Sequence, residues 1–172
     1  MREEREISLQ RDEMIISKTD LQGRLTYANR AFMRVANFSE LQLLGQNHNI
    51  IRHASMPRGV FHGLWKTLKS GQEFFGFVKN KTADGDYYWV FANITPDVID
   101  GEVIGYYSVR RTPSKQAIQV IEGIYQQMRD KESKADRQQA PELSWNWMVE
   151  TVERQHEMSY EQYVLSLYKQ TR

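Results

Sequence analysis

The stretch Gly45–His53, which reads GQNHNIIRH, concentrates side chains that could do chemistry. His48, Arg52 and His53 lie within six residues of one another, and two asparagines accompany them. Histidine can bind a metal or transfer a proton, and arginine can hold a carboxylate or a phosphate. The neighbouring residues must decide among a metal site, a catalytic site, a ligand-binding site and a polar loop.

Neither metal nor catalysis is favoured by the residues around this stretch. A metal site would need carboxylates or further histidines that converge on His48 and His53, and the nearest acidic residues are Glu40 and Glu73. The chain has no cysteine, which removes thiolate ligands, iron–sulfur ligation and cysteine nucleophiles. No orienting acid accompanies Ser55. We predict no metal ligands, no catalytic residues and a protein that is not an enzyme. From the residues alone, the stretch is a polar loop that follows a capped helix.

Composition favours a soluble, cytoplasmic protein. The chain has 172 residues, of which 40% are hydrophobic, and this suggests one domain with an appendage. Its net charge of +1 gives no indication of nucleic acid or an anionic membrane as a partner. No apolar run approaches the roughly 20 residues that span a bilayer, and the charged N-terminus does not resemble a signal peptide.

Hydrophobic periodicity places GQNHNIIRH in the helical part of an α+β domain. A hairpin over residues 14–27 and a three-stranded meander over residues 73–80, 86–95 and 102–111 flank several short helices. The helical part includes a capping box that begins at Ser39 and a helix that opens at Pro57. We predict a cap segment over residues 1–12, either a short amphipathic helix or loose, a domain over residues 13–112 and a C-terminal helical extension over residues 113–172.

The extension is predicted to contain two helices. One begins at Pro113, and the second runs from Ser144 to Tyr168 with an apolar stripe that should be buried. Arg129–Pro141 is charged and is typical of a linker. Either the extension packs on the domain, or it forms a helical partner surface or a dimer interface.

The meander is predicted to have one face with space beside it. Alternation puts Gly76 and Asn80 of the first strand, Ala92 and Ile94 of the second, and Gly105 and Tyr107 of the third on that face. Two interpretations remain open, because helices or a ligand could fill the space. A buried Asn80 could face a heterocycle, since its amide offers both donors and an acceptor; alternatively, it bonds to the next turn.

This layout, with several specific stretches, resembles the PAS domain family, and in particular the flavin-binding sensor domain of bacterial aerotaxis receptors. The likeness covers roughly residues 13–111. The matching stretches are Thr19–Gln22, Ala28-Asn29, Gly45-Gln46, His48-Asn49, Arg52-His53, Met56-Pro57, Trp65, Thr67–Lys69, Val78–Asn80, Gly85-Asp86, Tyr88–Val90, Ala92-Asn93 and Gly105-Tyr106. The sequence motif in which His-Asn is followed by two apolar residues and then by Arg-His is absent from generic PAS domains. In this chain Ala54-Ser55 replaces the Pro-Asp that usually follows it.

The resemblance implies a five-stranded antiparallel sheet with short helices on one face and FAD held between them. It implies that the cofactor contacts include His48, Arg52 toward the diphosphate, Trp65 beside the isoalloxazine and Asn80 at its polar edge, with Asn29 as a further candidate. Tyr107 is also counted among the cofactor-binding candidates. Either Tyr107 or Ile94, both predicted on the sheet face that holds Asn80, is expected to carry the redox signal outward. Since the chain has no cysteine, it cannot form the cysteine–flavin adduct of light-oxygen-voltage domains.

The function that follows is a bacterial redox, oxygen or energy sensor of the kind used in aerotaxis and chemotaxis. Such a sensor would pass the state of its flavin to a homodimer interface or to a signalling partner such as a chemoreceptor or a kinase. An alternative remains open: a PAS scaffold that binds haem, another small ligand or only a protein partner.

Overall fold

The computed structural model describes residues 2–170. Twelve helices and strands follow one another in the order β-β, four helical elements, β-β-β and three C-terminal helices. They are β1 (Ile15–Asp20), β2 (Leu25–Ala28), α1 (Arg30–Ala36), α2 (Glu40–Leu43), a 3-10 helix (His48–Ile51), α3 (Arg58–Lys69), β3 (Phe74–Lys81), β4 (Tyr87–Ile99), β5 (Glu102–Arg111), α4 (Lys115–Lys134), α5 (Ala140–His156) and α6 (Tyr160–Gln170).

The five strands form one antiparallel sheet in the order β2-β1-β5-β4-β3, so the first hairpin and the meander join through β1 and β5. Ser17 of β1 lies opposite Ser108 of β5, and Ile94 of β4 lies opposite the same residue. The turn between β4 and β5 has positive φ at Asp100 and at Gly101, as a tight two-residue hairpin requires. The predicted α+β architecture with a five-stranded antiparallel sheet is therefore confirmed.

The chain forms two compact units, each with its own buried residues. The first unit comprises Met1–Ala54 and Val78–Thr112, and the second comprises Ser55–Phe77 and Pro113–Arg172. Ile15, Phe32 and Leu43 are fully buried in the first unit, while Tyr125 and Met148 are fully buried in the second. The domain limits predicted from the sequence remain a prediction.

Local sequence signals account for the short helices. Asn29 caps α1, and Ser39 caps α2 with the full capping box, in which Gln42 bonds back to the backbone of Ser39. Pro57 precedes α3, as predicted. GQNHNIIRH contains the 3-10 helix, whose first residue is His48.

The N-terminal segment differs from both forms expected of it. Residues 2–12 form no helix, and the segment is tied to β4 by a parallel bridge between Glu6 and Tyr87. The amide of Ile7 donates to the Tyr87 carbonyl at 2.7 Å, and Tyr87 returns a bond to the Arg5 carbonyl at 3.0 Å. The segment therefore bonds to the first residue of β4.

Two predictions about the C-terminal region are wrong. The Arg129–Pro141 linker is mostly helical, because α4 continues to Lys134 and α5 begins at Ala140. The single helix over Ser144–Tyr168 is two helices, with Glu157 in the left-handed conformation between them. A second capping box explains the break: Ser159 accepts from the Gln162 amide while the Gln162 side chain accepts from the Ser159 amide.

Candidate functional site

A cluster of buried polar side chains lies in the first unit and includes residues from four strands and the 3-10 helix. We call it the Arg110 cluster; its members are Ser17, His48, Asn80, Tyr88 and Arg110. Four of them are buried, with Arg110 at 2% and Tyr88 at 0% exposure, and His48 is partly buried. Polar groups at this depth cost free energy unless they are bonded, so the partners of each one matter.

Arg110 is held by neutral groups. It donates from one terminal nitrogen to the Ser17 hydroxyl at 2.7 Å and from the other to Nε2 of His48 at 3.2 Å. Its guanidinium carbon lies 4.5 Å from the centre of the Phe32 ring. Burial lowers the pKa of Arg110 to about 10, so the side chain stays charged at neutral pH. Among residues 2–170, no carboxylate pairs with it.

The neighbours of His48 keep its ring neutral. Burial and the charge of Arg110 lower the pKa of His48 to about 3. Since arginine can only donate, Nε2 of His48 must accept, which places the proton of the neutral ring on Nδ1. The Ser17 hydroxyl lies 3.0 Å from the same nitrogen. His48 therefore serves as an acceptor that orients Arg110.

Tyr88 and Asn80 form the β3–β4 side of the cluster. Burial raises the pKa of Tyr88 to about 12, and both Arg110 and the Asn80 amide lie close enough to oppose that rise. Within the described range, however, the Tyr88 hydroxyl makes no hydrogen bond of normal geometry, and neither do Nε of Arg110 and the Ser108 hydroxyl. These three buried groups can still bond to a ligand.

Arg52 lies beside the cluster because the 3-10 helix ends there. Its backbone forms a bridge with Asn80, and burial lowers the pKa of its guanidinium. The next residue, His53, is buried, and its ring lies 2.9 Å from the carboxylate of Glu4. GQNHNIIRH thus provides His48 and Arg52 at the cluster, while His53 is engaged with the N-terminal segment.

Asn29 has a different role from the one that the resemblance implied. Its side-chain oxygen accepts from the amides of Ile16 and Phe32, and its nitrogen donates to the carbonyl of Met14. These three bonds join β1 to the start of α1. They occupy the Asn29 amide with the backbone, so we do not include Asn29 among the proposed cofactor contacts.

The sheet face predicted for Tyr107 is wrong. Ile94 lies opposite Ser108, so Tyr107, which lies opposite Thr95 and Lys18, belongs to the other face. The Lys18 ammonium lies 5.4 Å from its ring centre. Gly105 lies on the same face as Tyr107, because residues two positions apart in a strand share a face. The inward residues of β5 are instead Tyr106, Ser108 and Arg110.

Trp65 lies on α3, in the second unit, and is half-buried. The structure brings His48, Arg52 and Asn80 together in the first unit, and the position of Trp65 beside a cofactor stays a prediction.

Sequence reasoning missed Arg110, Tyr88 and the two serines of β1 and β5. The available signal was the alternation of Tyr106, Ser108 and Arg110 along β5. The sequence prediction puts Gly105 and Tyr107 on the inward face instead, because Gly105 matches the small residues Gly76 and Ala92 of the other two strands.

Residues 2–170 contain no group of three or more histidine, aspartate or glutamate side chains placed to hold a metal ion. No helix in this range has the length and apolar character that a bilayer span requires.

Comparison with known proteins places the chain in a family. The family model described as the PAS fold matches residues 25–110, which is half of the chain. The chain belongs to the PAS family. It is 41% identical to the aerotaxis receptor of Escherichia coli over 114 residues, and 37% identical to the nitrogen fixation regulatory protein of Klebsiella pneumoniae over 97 residues. The predicted likeness to aerotaxis receptors is therefore confirmed.

These alignments cover 66% and 56% of this chain, but only 22% and 20% of the two relatives. Among solved structures, the light state of the blue-light photoreceptor Aureochrome1 LOV superposes with a TM-score of 0.57 at 17% identity. That superposition covers 66% of this chain and 90% of the photoreceptor chain, and it supports the fold.

Proposed function

We propose that this chain is a PAS redox sensor that binds FAD through the Arg110 cluster and passes the state of the flavin to a protein partner. The observation that carries the proposal is the set of buried, unsatisfied polar atoms in the cluster: the Tyr88 hydroxyl, Nε of Arg110 and the Ser108 hydroxyl. Orphaned polar groups are rare in folded cores, and a bound ligand is one of the explanations for them.

The chemistry of the cluster suits the polar edge of an isoalloxazine. That edge carries carbonyl oxygens and ring nitrogens that accept hydrogen bonds, and one imide N–H that donates. Arg110 and Tyr88 supply donors, and the Asn80 amide supplies donors and an acceptor. When bound, FAD supplies reversible two-electron redox chemistry. The cluster residues bind it, orient it and exclude water.

The remaining predicted contacts extend this assignment. Arg52, which bridges to Asn80 through its backbone, suits the diphosphate because a guanidinium binds phosphate oxygens in pairs. His48 contributes by orienting Arg110. We keep Trp65 as the proposed aromatic neighbour of the ring, on the strength of the resemblance to aerotaxis sensors.

The output is proposed to be signalling rather than turnover. The two relatives are a receptor and a regulatory protein, and this supports a regulatory role in a bacterial cell. We further propose that the protein acts in the cytoplasm as a homodimer, or on a chemoreceptor or a kinase. The helical extension over residues 113–172 is the proposed route of output.

An absorption spectrum of the full chain tests the cofactor. Protein purified from cells supplied with riboflavin should show flavin bands that dithionite bleaches, and the released cofactor should elute as FAD on chromatography. Arg52→Ala should lose most of the FAD, because about 1.5–3 kcal/mol is typical of a charge-assisted hydrogen bond. The matched control is Arg30→Ala at the exposed first residue of α1, which should keep full occupancy.

Other outcomes would change the assignment. A Soret band in place of flavin bands would indicate haem. A colourless chain that still forms dimers would indicate a scaffold for protein association. Bound FMN without FAD would refute the assignment of Arg52 to a diphosphate.

A further inference from the structure

Arg110 carries a buried positive charge that its protein neighbours do not neutralise. A buried guanidinium is normally paired with a carboxylate, since an isolated buried charge is costly. Here the partners are a serine hydroxyl, a neutral imidazole, a phenyl ring and, nearby, a tyrosine hydroxyl. In the described range, the cluster holds a positive charge with no negative charge to balance it.

The same contacts fix the orientation of Arg110. Ser17 and His48 each bind one terminal nitrogen, and the Phe32 ring lies near the guanidinium carbon. Two anchored nitrogens define the plane of the group, while Nε has no acceptor. A donor held in this way needs little reorganisation to bind an acceptor, and its charge acts strongly because water is excluded.

We propose that Arg110 is the residue of this site that contacts the ring edge of the cofactor and sets its redox preference, by stabilising the negative charge that the ring takes up on reduction. The inference rests on the proposed function. Two electrons from a reductant, supplied as dithionite when the midpoint potential is titrated, and one proton from solvent leave the ring with one net negative charge. A fixed buried cation favours that state over the neutral oxidised one.

The test compares the wild-type full chain with Arg110→Met and with Arg111→Met. Arg111 is the adjacent residue of β5 and is exposed, so its variant removes a charge of the same kind from solvent. Three quantities are measured: the dissociation constant for oxidised FAD, the midpoint potential of the bound flavin, and the melting temperature of the cofactor-free protein.

The ratio of the affinity for reduced FAD to the affinity for oxidised FAD should be about tenfold or more lower in Arg110→Met than in the wild type. This is the size of effect expected when a charge-assisted hydrogen bond is lost. The midpoint potential of Arg110→Met should therefore be lower than that of the wild type. The cofactor-free protein should melt no earlier than the wild type, because the substitution removes an uncompensated buried charge. Arg111→Met should match the wild type in all three quantities.

Several results would overturn the inference. A wild-type midpoint potential in Arg110→Met would refute it while the proposed function stands. An earlier melting transition with an unchanged ratio of the two affinities would assign Arg110 a structural role. If the wild type binds no flavin, the proposed function fails and this inference fails with it.

Should Arg110→Met not fold, Arg110→Lys and Arg110→Gln replace it. The lysine variant should keep the wild-type midpoint potential, and the glutamine variant should have a lower one. Equal midpoint potentials in the two variants would refute the inference.

Discussion

His48 shows how a single residue takes its role from its neighbours. In the sequence it belongs to a histidine-rich stretch that suggests metal binding or proton transfer. In the structure its Nε2 accepts from Arg110, and the adjacent charge and burial hold its pKa at about 3. Such a histidine cannot bind a proton at neutral pH without breaking the arrangement that orients Arg110. Its function is therefore to accept a hydrogen bond.

This lowered pKa predicts how stability depends on pH. Below about pH 6.5 the unfolded chain protonates His48 while the folded chain does not, so the free energy of unfolding should fall as the pH drops from about 6.5 toward 3. Urea unfolding of the wild type at pH 7.5 and pH 5 measures this loss. In His48→Gln, which keeps an acceptor for Arg110, the difference between the two pH values should shrink.

The matched control for that measurement is His62→Gln on α3, which should retain the wild-type difference. Carboxyls whose pKa is lowered, such as those of Glu4 and Asp86, stabilise the fold fully above their ordinary pKa values of 4.5 and 3.8, and this contribution is lost only as the pH falls below those values. Measurement at pH 5 therefore separates the effect of His48 from theirs. An unchanged pH dependence in His48→Gln would contradict the assigned protonation state.

Within the second unit, α3 depends on other helices for its N-terminal cap and for one of its faces. Pro57 provides no side-chain cap, and Glu132 of α4 accepts from the amides of Arg58 and Gly59 instead. The hydroxyl of Ser144 on α5 donates to the same carboxylate at 2.6 Å. These bonds satisfy donors at the start of α3 that a helix alone leaves open.

Close packing of α5 on α3 predicts the effect of adding a methyl group. A Cβ at Gly63 would overlap the ring of Trp145, which is itself packed on Phe74 and Tyr160 and cannot move freely. Gly63→Ala should therefore lower the free energy of unfolding by about 1–3 kcal/mol, the usual cost of overpacking, less the gain in helix propensity. Chemical denaturation measures the change.

Gly123→Ala on α4 is the matched control, because nothing lies within 4 Å of the added Cβ. It should raise stability by about 0.8–1 kcal/mol through helix propensity alone. If both substitutions stabilise the protein equally, the close packing of Trp145 on Gly63 is wrong.

At the scale of the whole chain, long-range bonds within the first unit tie its N-terminal segment to the sheet. Asp86 accepts from the guanidinium groups of Arg2 and Arg5 and from the amide of Arg5. These bonds, with the amide of Arg5 first, lower the pKa of the Asp86 carboxyl. The segment therefore docks through one buried carboxylate that lies more than 80 residues away.

Removing that carboxylate should loosen the segment. In Asp86→Ala the amide of Ile7, which donates to Tyr87, should exchange with deuterium faster than in the wild type. Hydrogen exchange read by mass spectrometry over residues 2–12 measures the effect. Asp97→Ala, which removes a partly exposed ion pair with Lys18, is the control and should leave this exchange unchanged. Equal protection in both variants would contradict the anchoring role.

The sequence alone determined the architecture, because strands, short helices and their caps follow from local patterns. The sheet and its helical insert were predicted from alternation, from the Asp-Gly turns and from the capping box at Ser39. The motif that begins with His-Asn and ends with Arg-His identified the family. The same local evidence could have located the break before α6, since Ser159 and Gln162 form the capping-box pattern.

Only the tertiary structure decided which face of β5 points inward. Both faces mix apolar and polar residues, so alternation cannot rank them, and the register with β1 and β4 settles the question. That register turns Arg110 toward His48 and Tyr107 toward Lys18. The polar cluster follows from pairings between residues far apart in the chain, and a local pattern cannot encode a charge whose partners come from other strands.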